Sequence, residues 1–304
     1  MNQSNDRLHA AVAALLGILV AKGIAFGQSK TVTLTADGPR PLAKAVLEIE
    51  GLSGIPINYE DFRIEHPPDM NDVTDVVQGP AQKAANPNSR IIVPRGGHFS
   101  ANILVDAVTG KLTHTTDVAH ALNAILAAYR SSNLPGDFSL ESFNGVFLIA
   151  PVRARAATGT TVPFVPIFST RITLREVQRN AYQTLKLILD QVAKAVDFRI
   201  GLGAVPRGTT ASQITIGAED EPASHVIARL MGSLATYGHR ASDSSWVPGL
   251  SYTLLYDPGL KYYMFNIFNI HSVVKIDVTS PMREVIPRPT PGSRPRTLGP
   301  PHRP

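Results

Sequence analysis

The chain has 304 residues, no cysteine, 43% apolar residues and a formal net charge of +5. Without cysteine it has no disulfide, no thiolate metal site and no acylated cysteine as an anchor, so its stability rests on a core, and a chain this long can bury about three-quarters of its unfolded surface. The charge does not mark a nucleic-acid domain: residues 287–304 carry Arg288, Arg294, Arg296 and Arg303 with no acid, the first 27 residues add one positive charge, and residues 28–286 balance without a basic stripe.

Residues 1–27 read as an export signal. Arg7 supplies positive charge, Ala10 to Val20 is an unbroken apolar run, and Ala25-Phe26-Gly27 puts small residues at the two cleavage-determining positions, so the mature chain is expected to begin near Gln28. That run is too short to cross a bilayer, which takes about 20 residues, and no later segment is long and apolar enough.

Four helical patterns follow. In the first, Leu42, Ala45, Val46, Ile49 and Leu52 share one helix face behind Pro41, with strands expected at Thr31 to Ala36 and Ile55 to Glu60. Asp61 to Arg90, with Pro67-Pro68, Pro80 and Pro87, has little periodicity and is expected to be a long irregular surface loop. The second helix runs from an N-cap at Asp117 through Leu122 and Leu126, after a strand at Ala101 to Val108 and before a hairpin turning at Asn144-Gly145. The third opens at Thr173 and Glu176, in capping-box spacing, and continues through Leu185, Ile188 and Val192 to a strand at Arg199 to Val205. The fourth opens at Glu219-Asp220-Glu221-Pro222 and ends at Gly238, followed by a hairpin of Ser251 to Tyr256 and Leu260 to Ile270.

Val-Pro-Arg-Gly occurs twice, at Val93 to Gly96 and Val205 to Gly208, each time ahead of a β-α-β-β unit. The expected fold is therefore α+β: β-α-β and β-α-β-β units repeat, mixed sheets are covered by helices, and two similar halves span residues 28–157 and 158–286. Residues 287–304 hold seven prolines and form an expected extended, disordered tail.

The string from Thr31 to Glu60 resembles the secretin and TonB short N-terminal (STN) domain, in which a strand leads to a Pro-Leu-x-x-Ala-Leu-x-x-Leu helix and then through glycine to a second strand. Pro41-Leu42, Ala45-Val46, Ile49, Gly54 and Ile57 carry the match, with Val46 and Ile49 where leucine is usual. The resemblance implies protein-protein contact in the periplasm rather than catalysis. The barrel or ring that follows in that family has no counterpart pattern here.

No catalytic constellation emerges. Nine histidines include no His-x-x-x-His pair, and Asp69, Asp72 and Asp75 lack the alternation, glycine and glutamate of a calcium loop. Gly201-Leu202-Gly203 lacks the third glycine of a dinucleotide loop, and Ser53 has no nucleophile-elbow glycines around it. No metal or cofactor is expected. Three residues stand out for binding. Arg95 and Arg207 sit at equivalent places in the repeat, either as a pair gripping an anion or as turn residues facing water, and Trp246 is the single tryptophan. Tyr262 to Ile270, apolar on both faces, is a strand buried on two sides or an edge that accepts a partner strand. The sequence thus points to an exported, periplasmic or secreted, non-enzymatic protein contacting envelope proteins; the alternative is an exported enzyme or solute-binding protein with a pocket between the halves.

Overall fold

The computed structural model describes residues 28–85, 88–206, 212–238 and 249–270. In chain order these form β1 (Ser29–Gly38), α1 (Pro41–Ser53), β2 (Ile57–Glu60), β3 (Met70–Asp72), α2 (Thr74–Val77), α3 (Pro80–Ala85), β4 (Ile92–Pro94), β5 (Gly97–Asp106), α4 (Thr115–Ser131), β6 (Asp137–Phe143), β7 (Val146–Arg155) and β8 (Thr161–Pro163). The second part adds β9 (Arg171–Asn180), α5 (Ala181–Val196), β10 (Ile200–Leu202), β11 (Gln213–Pro222), α6 (Ala223–Gly238), β12 (Leu250–Asp257) and β13 (Tyr262–Asn269). The expected signal at residues 1–27 and tail at 287–304 lie outside the described residues.

The fold is α+β, and its pairing repeats. In the first half β1 pairs antiparallel with β5, β2 runs parallel to β7, and β6–β7 is an antiparallel hairpin. In the second half β9 pairs antiparallel with β11, β10 runs parallel to β13, and β12–β13 is the hairpin. The two three-stranded sets join where β2 and β12 run parallel at Tyr59–Thr253 and Glu60–Leu254, giving a seven-stranded sheet ordered β10-β13-β12-β2-β7-β6, with β8 on β7. The helices of each half lie between this sheet and a two-stranded one: α1 and α4 against β1–β5, α5 and α6 against β9–β11. All described residues fall in one compact unit, and a single hydrophobic core takes residues from both halves. The halves are therefore fused through a shared sheet.

Local sequence explains most elements. Pro41 opens α1 at a position whose N–H would lack a partner anyway, and Gly54 closes it in a left-handed conformation (φ 69°), donating its N–H to the Glu50 carbonyl at 2.7 Å. Asn144 (φ 51°) and Gly145 (φ 78°) are both left-handed, which a type I′ turn requires. β13 is a strand with neighbours on both sides, β10 and β12, so Tyr263 and Phe265 are fully buried and Tyr262 to Ile270 is not an accepting edge.

Several expectations are corrected. Thr173 and Glu176 do not cap a helix: Ile172 and Leu174 alternate inward along β9, and α5 starts after Asn180, whose side chain accepts the Gln183 N–H. Glu219 to Pro222 finish β11 instead of opening α6. Asp117 lies one turn inside α4, and His114 is the N-cap, in a reciprocal pair with Asp117. Asp61 to Arg90 is not irregular: β3 pairs with β4, two short helices lie between them, and Phe62, Ile64, Asp61 and Asp69 are buried.

Candidate functional site

Three features differ from an ordinary packed interior: a strand edge, a polar seam between the halves and a cleft containing Arg95.

The edge belongs to β5. β1 and β5 pair over ten residues without a register shift, and the Ala107 N–H bonds the Gln28 carbonyl. Antiparallel alternation then turns the backbone N–H and C=O groups of His98, Ser100, Asn102 and Leu104 away from β1. Asp106 shows the same direction by donating its N–H to the Lys111 carbonyl. Among the described residues no strand pairs with the other side of β5. Its sequence, Gly-His-Phe-Ser-Ala-Asn-Ile-Leu-Val-Asp, contains no proline, lysine or arginine, the residues that usually block such edges. Ser100, Asn102 and Leu104 lie on the outer face opposite Thr35, Thr33 and Thr31, and Leu104 is 62% exposed. An open groove of about 570 Å³ runs between β5 and α4, bordered by Asn102, Leu104, Asp117, His120, Ala121 and Ala124.

The equivalent sheet of the second half is finished differently. β11 slips register against β9 twice, between Ile216 and Ala218 and between Ala218 and Glu221, and Asp220 adopts φ 46°. Charges sit at the irregular end: Arg171 pairs with Asp220 at 2.9 Å and Arg229 with Glu221 at 2.5 Å. Bulges and charges of this kind prevent further strand pairing.

The seam is built by side chains of α1 and of the strand β2 that follows it, all four residues of which are buried. Glu50 accepts the Ile57 N–H (2.9 Å) and the Ser251 hydroxyl (3.0 Å), and Asn58 accepts the Tyr252 N–H (3.0 Å). Asp61 accepts from Arg40 (2.7 Å), the Tyr59 hydroxyl (2.7 Å) and the Tyr256 N–H (3.2 Å). Glu60 accepts the Phe168 N–H at 3.3 Å through one oxygen, while its other oxygen and the Tyr252 hydroxyl, both buried, have no partner. Burial pushes the Glu50 carboxyl up to about 7 and that of Glu60 up to about 8, and raises the Tyr252 hydroxyl well above its ordinary value. Beside this seam Asn58, Glu141, His225 and Tyr252, together with the apolar Val146, Leu148 and Ala228, line a small space of about 30 Å³. Phe143 stacks on His225 at 3.8 Å across its mouth, joining the β6–β7 turn to α6.

Arg95 is exposed at the rim of a cleft with Arg40, Tyr59, Asp61, Asp69 and Tyr129, which also holds about 30 Å³. Its N–H bonds the Asp69 carbonyl (2.6 Å) and its guanidinium the Pro68 carbonyl (3.3 Å), so it fastens the loop that precedes β3. Asp69 is itself held by Arg155 at 2.7 Å. Val93 to Gly96 does lead directly into β5, and Val205-Pro206 stands in the segment that leads to β11, while Arg207 and Trp246 lie outside the described residues. The open side of β5 is not legible in the sequence, because it depends on which strands pair, a non-local fact. The run from Ala101 to Val108 signals a strand and nothing more.

Among the described residues no group of three histidines, aspartates or glutamates is placed to hold a metal ion, and no helix is long and apolar enough to cross a membrane. Comparison of the chain with family models, with curated proteins and with solved structures found no match.

Proposed function

We propose that this is an exported, non-enzymatic protein that makes protein-protein contacts in the bacterial cell envelope, and that its contact surface is the open edge of β5. The carrying observation is the contrast between the two outer sheets: the β5 edge has a ten-residue register and a groove beside it, while β11 is bulged and charged at the same place in the repeat. Added strands bind through main-chain hydrogen bonds, and neighbouring grooves select their side chains. The STN-like reading of Thr31 to Glu60 supports the same function. The matched residues take the elements it implies, with Pro41-Leu42 opening a helix, Gly54 closing it and Ile57 beginning a strand. Export is supported by the leader pattern, and a mature form beginning near Gln28 in the envelope fraction is the expected mass-spectrometric result.

A second reading, a solute-binding protein or enzyme with a pocket between the halves, is favoured by the unpartnered Tyr252 hydroxyl and Glu60 oxygen at the seam. The space bordered by Tyr252, about 30 Å³, is roughly a tenth of the smallest pockets that hold an ordinary metabolite. Crosslinking of the native envelope followed by mass spectrometry separates the two readings. The contact reading expects crosslinks from β5 or α4 to another polypeptide; crosslinks confined to other surfaces, or none, contradict it.

A further inference from the structure

We infer that the central sheet continues from one copy of this chain to the next, with β10 of one copy pairing parallel to β6 of the following copy. This contact lies at the two ends of the seven-stranded sheet and is separate from the one assigned to β5.

The junction between the halves is the precedent. Leu140, Ile149 and Tyr59 form one row across β6, β7 and β2, and Leu254, Phe265 and Leu202 form the corresponding row across β12, β13 and β10. β10 is thus the counterpart of β2, and β6 that of β12. The pair β2–β12 joins the halves, and its counterpart, β10 with β6, is left open at the ends of the sheet. The halves are also turned over with respect to each other. Neighbours on β12 point to opposite faces: Ser251 meets Glu50 of α1, while Tyr252 lines the same space as Ser224 and His225 of α6. Helices of the two halves therefore cover opposite faces, and a following copy repeats that alternation.

The backbone groups for such a ladder are present. The Gly203 N–H bonds the Phe265 carbonyl and the Tyr263 N–H the Arg199 carbonyl, so Ile200 and Leu202 turn away from β13. On β6 the two-residue turn pairs Phe143 with Val146, so Leu140 and Ser142 turn away from β7. Among the described residues these four have no backbone partner on that side. Phe138 and Ala204 take no part: Phe138 is held by Asp137 and Arg130, and the Ala204 N–H by Asn266. In the remaining register the Leu140 N–H donates to the Ile200 carbonyl, the Leu202 N–H to the Leu140 carbonyl and the Ser142 N–H to the Leu202 carbonyl. It lies two residues from the internal register, a shift that keeps every side chain on its face. Neither strand contains lysine, arginine or proline, and Leu140, Ile200 and Leu202 are only partly buried. Each copy carries one strand of each kind, so the association is head-to-tail and does not stop at two.

Sedimentation velocity of the full chain over a range of concentrations is expected to show species that grow past a dimer. Ser142→Pro on β6 and Leu202→Pro on β10 each remove an outward N–H and leave the bonds to β7 and β13 in place. Each variant alone is expected to stay monomeric. Mixed, they are expected to form a complex of one copy each, because each retains the strand that the other lacks. Ser142→Lys and Leu202→Lys give a second pair of blocked chains with the backbone intact, read in the same way against a native circular dichroism spectrum. Asn102→Lys on β5 is expected to leave assembly unchanged. A native chain that is monomeric at every concentration overturns the inference, as does assembly that survives both kinds of block, a mixture that stays monomeric, or assembly lost in Asn102→Lys.

Discussion

β5 runs ten residues against β1 without a break, whereas β11 runs ten residues against β9 with two register shifts and an ion pair across the irregular end. Both strands follow a β-α-β unit and precede a helix and a hairpin, so the same architecture has been finished in two ways. A β-edge is a hazard unless it is used or blocked. The second half blocks its edge with Asp220 in a left-handed conformation and with the Arg171–Asp220 and Arg229–Glu221 pairs. The first half keeps polar but uncharged Ser100 and Asn102 there, with the exposed Leu104. The shared central sheet provides rigidity to both, which leaves the outer sheets free to diverge.

The largest effect should come from breaking what the halves have in common. Ile149 on β7 and Phe265 on β13 occupy corresponding strands and are fully buried. The change to alanine is expected to cost about 2–5 kcal/mol at Ile149 and about 3–5 kcal/mol at Phe265. Both variants should unfold in a single transition in denaturant, because one core spans the halves; two separate transitions would show that the halves are independent.

Asp61→Ala comes next, at about 3 kcal/mol, since it leaves the Tyr59 hydroxyl and Tyr256 N–H without an acceptor and removes the partner of Arg40. Denaturant titration gives the value, and a loss below about 1 kcal/mol would mean that the seam contributes little.

pH acts on the same seam. Burial raises Glu50 to about 7 and Glu60 to about 8 from an ordinary 4.5, so the folded chain holds these protons more tightly than the unfolded one. Their stabilisation is complete below pH 4.5 and is lost as pH rises through 7 and then 8, at a limiting slope of about 1.4 kcal/mol per pH unit for each proton. Melting temperature should therefore fall from about pH 4.5 to about 8, most steeply below 7 where both protons contribute, and level off above 8. Glu60→Gln should flatten the upper part of that fall, and an unchanged slope would contradict the role given to Glu60.

The smallest effect on stability is expected at the edge itself. Asn102→Lys should change the unfolding free energy by less than about 0.5 kcal/mol while introducing the charge with which natural edges refuse a partner. A contact that survives this change would not run through β5.

Much of this architecture could be read from residue order. The helix faces, the Asn144-Gly145 turn and the duplicated unit order follow from periodicity and turn chemistry. Where the reading failed, two local signals competed and a distant partner decided. Arg171 to Asn180 carries both capping-box spacing and alternation; β11, more than thirty residues away in the chain, selects the strand. Asp61 to Arg90 lacks periodicity because its elements, β3, α2 and α3, are three, four and six residues long, too short to show a pattern. The buried acids of the seam were not legible, since nothing in Ile57-Asn58-Tyr59-Glu60 distinguishes a strand open on one face from one buried on both.

The most direct test places a photoreactive residue at Asn102 on β5 and, separately, at Thr215 on β11, both exposed at corresponding outer sheets, and compares adducts in living cells. Polypeptide adducts at Asn102 and none at Thr215 are the predicted result. Equal labelling at the two positions, or labelling at Thr215 alone, would contradict the claim that the open edge of the first half is the contact surface.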